Sequence, residues 1–527
     1  MAGALIMTPY TQRRRAGLLT RVVLAAALIG VAVFYGLMVA VLPPQLLIIP
    51  TIPILLMAAL ILWMLPDTNH VYDRSMDWLV CLYVGANVLW PSYIAANLPG
   101  LPWVTPTRIA VFALLSVVLF NLATSQTLRD RISASMDGVP ILRRLFWGFW
   151  LLTTISLLLS ADPFFSINKY ANNQIFWTMM FAVTAFLATR DGFAMRMSRI
   201  IVWSTFVIAM LGIYEFYIQR VFWLDHLPSF LKVDPEYLER IMASQARAGT
   251  DVYRTKATFA TSLSFAEYLA MVFPLVIHFM ARARSFPKFV LLLAGVFGTM
   301  TAMYLTNARS AMVGLLMTLV LYVLFAAWRG RLRSPNSVGA TATVAAYPVS
   351  VAILAALVVF WPRLHVMVLG GGAHQASSDA RGVQWDIGLS KLASNPIGHG
   401  VGRAAEVLGY TNGEGTLTID TYYLSLLLEY GILGLIVFVL MFGLPGWFGF
   451  KAWNAAETEE EQLVGPIAIG LANFMVIKSV LSSEINIPIA FVMLGTVVGM
   501  VWKQRHKHVA AVPAPVPEPA GGSLQRA

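Results

Sequence analysis

The chain has 527 residues, of which 58% are hydrophobic and only 12% charged, with a formal net charge of +11. A soluble domain carries about 25% charged residues, so a single water-soluble globule is excluded. Lys and Arg fall mostly between apolar runs, which makes the basic excess a matter of membrane topology and gives no reason to expect nucleic acid.

In chain order, apolar runs lie near 20–42, 45–65, 78–98, 107–125, 145–160, 174–189, 200–217, 260–279, 288–305, 310–327, 342–361, 421–445, 464–481 and 486–502. Runs of this kind suit helices crossing about 30 Å of hydrocarbon, with every backbone amide satisfied inside the helix. The short alternating strands of a barrel are absent. The expected fold is therefore all-α and polytopic, with about fourteen transmembrane helices. Residues 1–19 are read as a cytoplasmic N-terminus, 20–504 as one transmembrane domain and the Pro- and Ala-rich 505–527 as a disordered cytoplasmic tail. Arg13, Arg14 and Arg15 resemble the start of a signal sequence, but the run behind them is long and more spans follow, so it is read as an uncleaved first span.

With the N-terminus inside, the inside loops hold Arg129, Arg131, Arg143 and Arg144; Arg190, Arg196 and Arg199; Arg282, Arg284 and Lys288; Arg329, Arg331 and Arg333; and Lys503, Arg505 and Lys507. Short cytoplasmic loops are rich in Lys and Arg, so both termini are placed in the cytoplasm. Two long loops, 219–258 and 362–418, fall on the outer, periplasmic side. In the first, Asp234-Pro235 reads as a cap and first helical residue, with Tyr237, Leu238, Ile241 and Met242 on one apolar face and Gly249 as the stop. In the second, Ser378 reads as the cap of a helix that carries Trp385, Leu389 and Leu392 and ends at Asn395-Pro396. Both resemble helices lying on a membrane surface.

Chemistry is sought at the outer face, since no Walker loop, GxGxxG or HExxH motif or Cys/His metal spacing is present. The lone Cys81 lies in an apolar run, which rules out an intramolecular disulfide and argues against a redox or zinc role. No cofactor or metal is expected. Arg247, Arg254, Lys256, Arg309, Arg381 and Arg403 are basic residues on the side where charge bias disfavours them. They fit either an anion site, where guanidinium forks grip phosphate oxygens, or plain headgroup anchors. Function is favoured for Arg309, in the short turn 306–310, and for Arg254; anchoring is at least as good for Arg247 and Arg403. Asp420 opens a span, where it fits either a base for an attacking hydroxyl or a helix cap. Tyr422 and Tyr423 suit sugar stacking or, with more weight, interfacial anchoring. Gly431 and Gly434 read as close helix approach. Glu429 is an intramembrane carboxylate with Lys478 and Glu484 as possible partners, and His374 and His399 are loop histidines, His399 in a flexible turn.

Four stretches carry a resemblance. Arg254–Tyr268 (RTKATFATSLSFAEY) is similar to an Arg-x-x-Gly-Thr-Phe segment, with Ala257 at the glycine. Leu305–Gly314 (LTNARSAMVG) is similar to Leu-Thr-x-Ser-Arg-Ser/Gly, with Ala308 at the first serine. Asp420–Gly434 (DTYYLSLLLEYGILG) follows the pattern His-Asn, nine residues, Gly-x-x-Gly, and Pro396–Gly402 resembles the Pro-x-Gly-x-Gly segment before it. In this order the chain resembles the O-antigen ligase and polysaccharide polymerase superfamily, most strongly over roughly 250–445. The resemblance implies a GT-C-like helical bundle of the inner membrane. Its reaction would move a glycan from undecaprenyl diphosphate to an acceptor hydroxyl at the periplasmic face, without ATP or metal. Arg254 and Arg309 would hold the diphosphate, with Lys256 and Arg381 assisting, and Tyr422 and Tyr423 would lie against sugar. Asp420 and Thr421 stand where the ligases have His-Asn, which points to polymerisation of lipid-linked repeat units with Asp420 as base. Expected partners are the lipid-linked donor and acceptor, the bilayer, a chain-length regulator and a flippase. The competing readings are an O-antigen ligase or protein oligosaccharyltransferase within the same superfamily and, from another class, a transporter favoured by Glu429.

Overall fold

The computed structural model describes residues 30, 68, 70–96, 103–243, 252–368, 375–411 and 415–511. The first two expected spans (Gly30 apart), Arg247, Gly249 and His374 lie outside the described residues. The helices are α1 Asp73–Leu89, α2 Pro106–Thr124, α3 Gln126–Met136, α4 Leu142–Ser156, α5 Pro163–Asn173, α6 Met180–Leu187, α7 Phe193–Ile218, α8 Pro235–Ala243 and α9 Ser262–Ala281. They continue as α10 Phe286–Leu305, α11 Arg309–Arg333, α12 Val338–Phe360, α13 Pro362–Val368, α14 Gln375–Ser394, α15 Ala404–Leu408, α16 Tyr422–Ala455, α17 Val464–Lys478 and α18 Ile487–Ala511.

Among the described residues nine helices are long and apolar enough to cross a membrane, so the protein is a multi-pass helical membrane protein. The expected fourteen are not reached. Each of the other twelve expected spans coincides with a helix, but three fall short. These are α1 with 17 residues, α17 with 15, and α6 with eight, which follows a π-helical stretch at Gln174–Met179. The last helix runs on to Ala511, past residue 505 where the tail was expected to begin. Large apolar side chains such as Trp78, Phe112, Leu151, Phe297 and Leu433 are exposed. Lipid is a solvent in which such faces need no cover, and α12, with Val358 its one buried residue, is the extreme case.

One end of the bundle collects the loops expected inside. Arg190 pairs with Asp73 at 2.9 Å, Lys503 with Asp191 at 2.6 Å and Lys507 with Glu457 at 2.8 Å. Arg196 meets Asp77, and Arg284 meets Glu459. The Glu460 carboxylate accepts from the backbone N–H groups of Gly192 and Ala194, which places negative charge at the N-terminus of α7.

The opposite end carries the two long expected loops. The first is folded rather than loose. Leu231–Val233 (β2) pairs antiparallel with Ile94–Ala96 (β1), and α8 packs beside them. Tyr237, Leu238 and Ile241 of α8 pack in one cluster with Tyr93 and Trp223, so most of this apolar face meets protein, while Met242 is exposed. The second loop holds α14, which starts at Gln375 rather than at a Ser378 cap and stops, as expected, before Asn395. Gly388 lets α14 cross α16 closely: a Cβ there would sit 2.5 Å from a Leu424 methyl.

Candidate functional site

Residues Tyr253–Ala257 form a turn against the end of α10. Its organiser is Glu215 of α7, a fully buried carboxylate. It accepts from Tyr253 Oη at 2.8 Å and Ala257 N at 2.6 Å, and Thr255 Oγ1 lies 3.4 Å away. Ala257 sits at φ +49°, a left-handed conformation that glycine adopts at no steric cost, which gives a physical sense to the glycine in the similar pattern. The turn directs Arg254 onto the end of α10, where its Nε donates to Thr306 O at 3.1 Å. Lys256 is drawn the other way. It is fully buried and its Nζ donates to Ile241 O at 2.7 Å, so it ties α8 to the turn from behind the arginines. Burial pushes its ammonium down to about 8, against the attraction of Glu215.

Arg309 is the first residue of α11, after the short turn that follows α10. Its guanidinium therefore stands where the helix dipole also favours an anion. It lines a cavity of about 350 Å³ whose other walls are mostly apolar, among them Phe216, Val252, Leu305 and Met312. Arg309 Nη2 lies 3.5 Å from Ser378 Oγ on α14.

The same face of α14 then leads to Asp420. Ser378, Arg381 and Gln384 are spaced by three residues and so lie along one side of a helix. Gln384 is buried, and its Oε1 accepts from the backbone N–H of Asp420 at 2.8 Å. At about 1.5 Å per residue, Ser378 and Gln384 stand about 9 Å apart along the axis. Arg309, Arg381 and Asp420 are thus gathered at one end of the molecule, and Arg254 adjoins them through Thr306. The N-cap of α16 is Thr421, not Asp420. Among the described residues the Asp420 carboxylate makes no hydrogen bond, so nothing here shows it capping the helix. Three buried polar atoms flank the charged residues without a hydrogen-bond partner among the described residues: Ser310 Oγ beside Arg309, Gln384 Nε2 beyond Arg381 and Thr421 Oγ1 beside Asp420.

The tyrosines go elsewhere. Tyr422 is 2% exposed, edge-on to Phe438 at 5.5 Å and under Lys478 Nζ at 5.3 Å, which leaves its ring no surface for a sugar. Tyr423 Oη donates to Met475 O at 2.6 Å, locking α16 to α17. Arg403 pairs with Glu406 and lies 3.9 Å from Asp162, as a structural residue would.

Gly431 is not a close-approach glycine within a continuous helix. It breaks α16 with φ +68° and ψ −171°, and a Cβ there would stand 2.3 Å from Pro396 O. The Pro396–Gly402 segment plugs the break. His399 N donates to Leu428 O at 2.8 Å and Gly400 N to Glu429 O at 3.2 Å, so His399 is held and not in a flexible turn. Gly434 instead abuts Tyr430 of its own helix. Lys478 pairs with Glu267 at 2.8 Å, both buried, and Glu484 with Lys169; neither pairs with Glu429. Glu215 and Gln384 were not singled out by sequence reasoning, and Ser378 only as a helix cap, because each matters through a partner far away in the chain.

Residues 293–439, well under half of the chain, match the family model described as O-Antigen ligase. They include Arg309, Arg381, Asp420 and the plugged break at Gly431, and they relate the chain to that family. Members of it are glycosyltransferase-like enzymes acting on lipid-linked glycans. No curated protein matches the chain.

Proposed function

We propose that this O-antigen ligase-related protein polymerises glycan repeat units carried on undecaprenyl diphosphate, at the periplasmic face of the bacterial inner membrane. The observation that supports the reading is the line of side chains along α14: Ser378 meets Arg309, Gln384 accepts from the backbone N–H of Asp420 with Arg381 between them in the helix, and among the described residues the Asp420 carboxylate has no hydrogen-bond partner. Arg309, backed by the α11 N-terminus and with Arg254 and Arg381 nearby, holds the diphosphate. Its bidentate fork suits phosphate oxygens, and the apolar cavity beside it suits the first isoprene units of the lipid. Asp420 takes the proton of the acceptor hydroxyl. The oxygen attacks the anomeric carbon of the donor sugar as the bond to the diphosphate oxygen breaks, and undecaprenyl diphosphate leaves with the electron pair. Direct displacement inverts the anomeric centre. The chemistry consumes only the energy of the glycosyl–diphosphate bond, so ATP has no part in it.

Aspartate at position 420, where the ligases carry histidine, favours polymerase over ligase. A strain lacking the gene tests this choice. Loss of long chains from the lipid-linked pool is the expected result. Full-length lipid-linked chains accumulating, with none attached to lipid A or protein, would make the protein a ligase or an oligosaccharyltransferase. Glu429 kept a transporter in view, but it is buried against the plugged break. Purified protein that lengthens lipid-linked glycan in detergent separates transferase from transporter.

A further inference from the structure

A second cavity, of about 400 Å³, opens at the same end of the molecule between the β1–β2 unit, the start of α2 and the loop before α18. Three half-buried rings frame it: Trp90, Trp103 and Tyr237. Each is held in place. Trp90 Nε1 donates to Ile94 O at 2.7 Å and Trp103 Nε1 to Ser92 O at 3.1 Å. Tyr237 stacks on Tyr93 with 20° between the planes. The polar lining is a mixture of amide, carboxylate and guanidinium: Asn87, Asp234, Glu484 and Arg108. Among the described residues the Asn87 amide makes no hydrogen bond, and the Arg108 Nη1 is turned onto Trp103 O at 2.8 Å.

This chemistry differs from that of the Arg309 cavity. A diphosphate would meet the Asp234 and Glu484 carboxylates here, Glu484 already held by Lys169, and a guanidinium already engaged by a carbonyl. A lipid tail would leave the Asn87 amide without a hydrogen-bond partner among the described residues, which is costly. A saccharide satisfies both halves: its C–H face lies on the rings, and its hydroxyls donate to carboxylates and to the amide oxygen and accept from the amide N–H groups. The volume lies within the usual range for small-ligand sites. The loop before α18 links the cavity to the neighbourhood of Asp420. Ser482, two residues before the lining Glu484, donates its hydroxyl to Ile419 O, next to Asp420.

We infer that the cavity framed by Trp90, Trp103 and Tyr237 binds the acceptor saccharide and presents its hydroxyl toward Asp420, an inference that rests on the glycan-transfer reading above. The test uses the purified full chain in detergent with two probes: the oligosaccharide released by mild acid from the cells' own lipid-linked glycan, and farnesyl diphosphate. Trp103→Ala and Tyr237→Leu each weaken oligosaccharide binding by roughly tenfold or more, read by saturation-transfer NMR, and leave farnesyl diphosphate binding unchanged. Arg309→Ala does the reverse. Should Trp103→Ala fail to fold, Tyr237→Leu carries the test. Oligosaccharide binding that is absent from the unmodified protein, or that survives the folded variants unchanged, overturns the cavity assignment. If farnesyl diphosphate is still held through Arg309, only that assignment falls. If the unmodified protein binds neither probe, the glycan-transfer reading falls with it.

Discussion

At one end of the bundle Lys503 lies 2.6 Å from Asp191 and 3.6 Å from Glu460, and Lys507 lies 2.8 Å from Glu457 and 3.4 Å from Glu461. At the other end Arg309 points a guanidinium nitrogen at a neutral hydroxyl, and the Asp420 carboxylate has no partner among the described residues. Both ends are rich in charge, but they use it differently. Paired charges close the loops of the first end, and the exposed pairs among them, such as Lys507 with Glu457, contribute little energy. Pairs occur at the other end too, Arg403 with Glu406 and Lys169 with Glu484, but among the described residues the Asp420 carboxylate meets no cation and the buried Thr421 hydroxyl beside it has no hydrogen-bond partner.

The contrast predicts unequal consequences. Asp420→Asn should break it most sharply. Loss of the base lowers turnover by about 10²–10⁴-fold while membrane levels stay normal, since Thr421 and not Asp420 is the N-cap of α16. Chain elongation in membranes, with the protein quantified by immunoblot, checks both halves. If Asp420→Asn elongates at the normal rate, the base role is gone. Arg309→Ala follows with a loss of about 10²–10³-fold, the usual scale for removing one donor to a charged transition state. Arg309→Lys should stay impaired because an ammonium cannot fork two phosphate oxygens. Full activity in the lysine variant would leave charge alone as the requirement.

Gly431→Ala probes the scaffold behind Asp420. A Cβ at positive φ, against Pro396 O, should lower stability by about 1–3 kcal/mol and loosen the Pro396–Gly402 plug, seen as a lower midpoint of thermal unfolding in detergent. The smallest effect belongs to the far end. Arg284 is 83% exposed beside Glu459, and Arg284→Ala should cost at most about 1 kcal/mol with elongation untouched. A large loss of activity from that variant would erase the distinction between the ends.

How much was legible in the sequence follows from the range of each interaction. The spans were readable because hydropathy is local; Arg254, Arg309 and Arg381 were picked out as cations on the unexpected side of the charge bias, and Asp420 as the residue that opens a span. Lys256 was picked out by its charge and Tyr422 and Tyr423 as interfacial aromatics, yet Lys256 and Tyr422 are buried and Tyr423 half-buried, because charge and aromaticity along a chain do not say which way a side chain turns. Gly431 looked like one of a pair of small residues and is instead a backbone break. The surface helix expected at 235–242 found a protein partner in a two-stranded sheet whose strands lie far apart in sequence.

The sequence by itself determined that this is a multi-pass helical protein with its basic loops on one side, since hydrocarbon demands about twenty apolar residues per crossing whatever their neighbours are. Tertiary structure decided which charges share a site. Ser378 reaches Arg309 across 69 residues and Gln384 reaches Asp420 across 36. Contacts at such separations are set by how helices pack, and packing leaves no period or composition in the chain to be read.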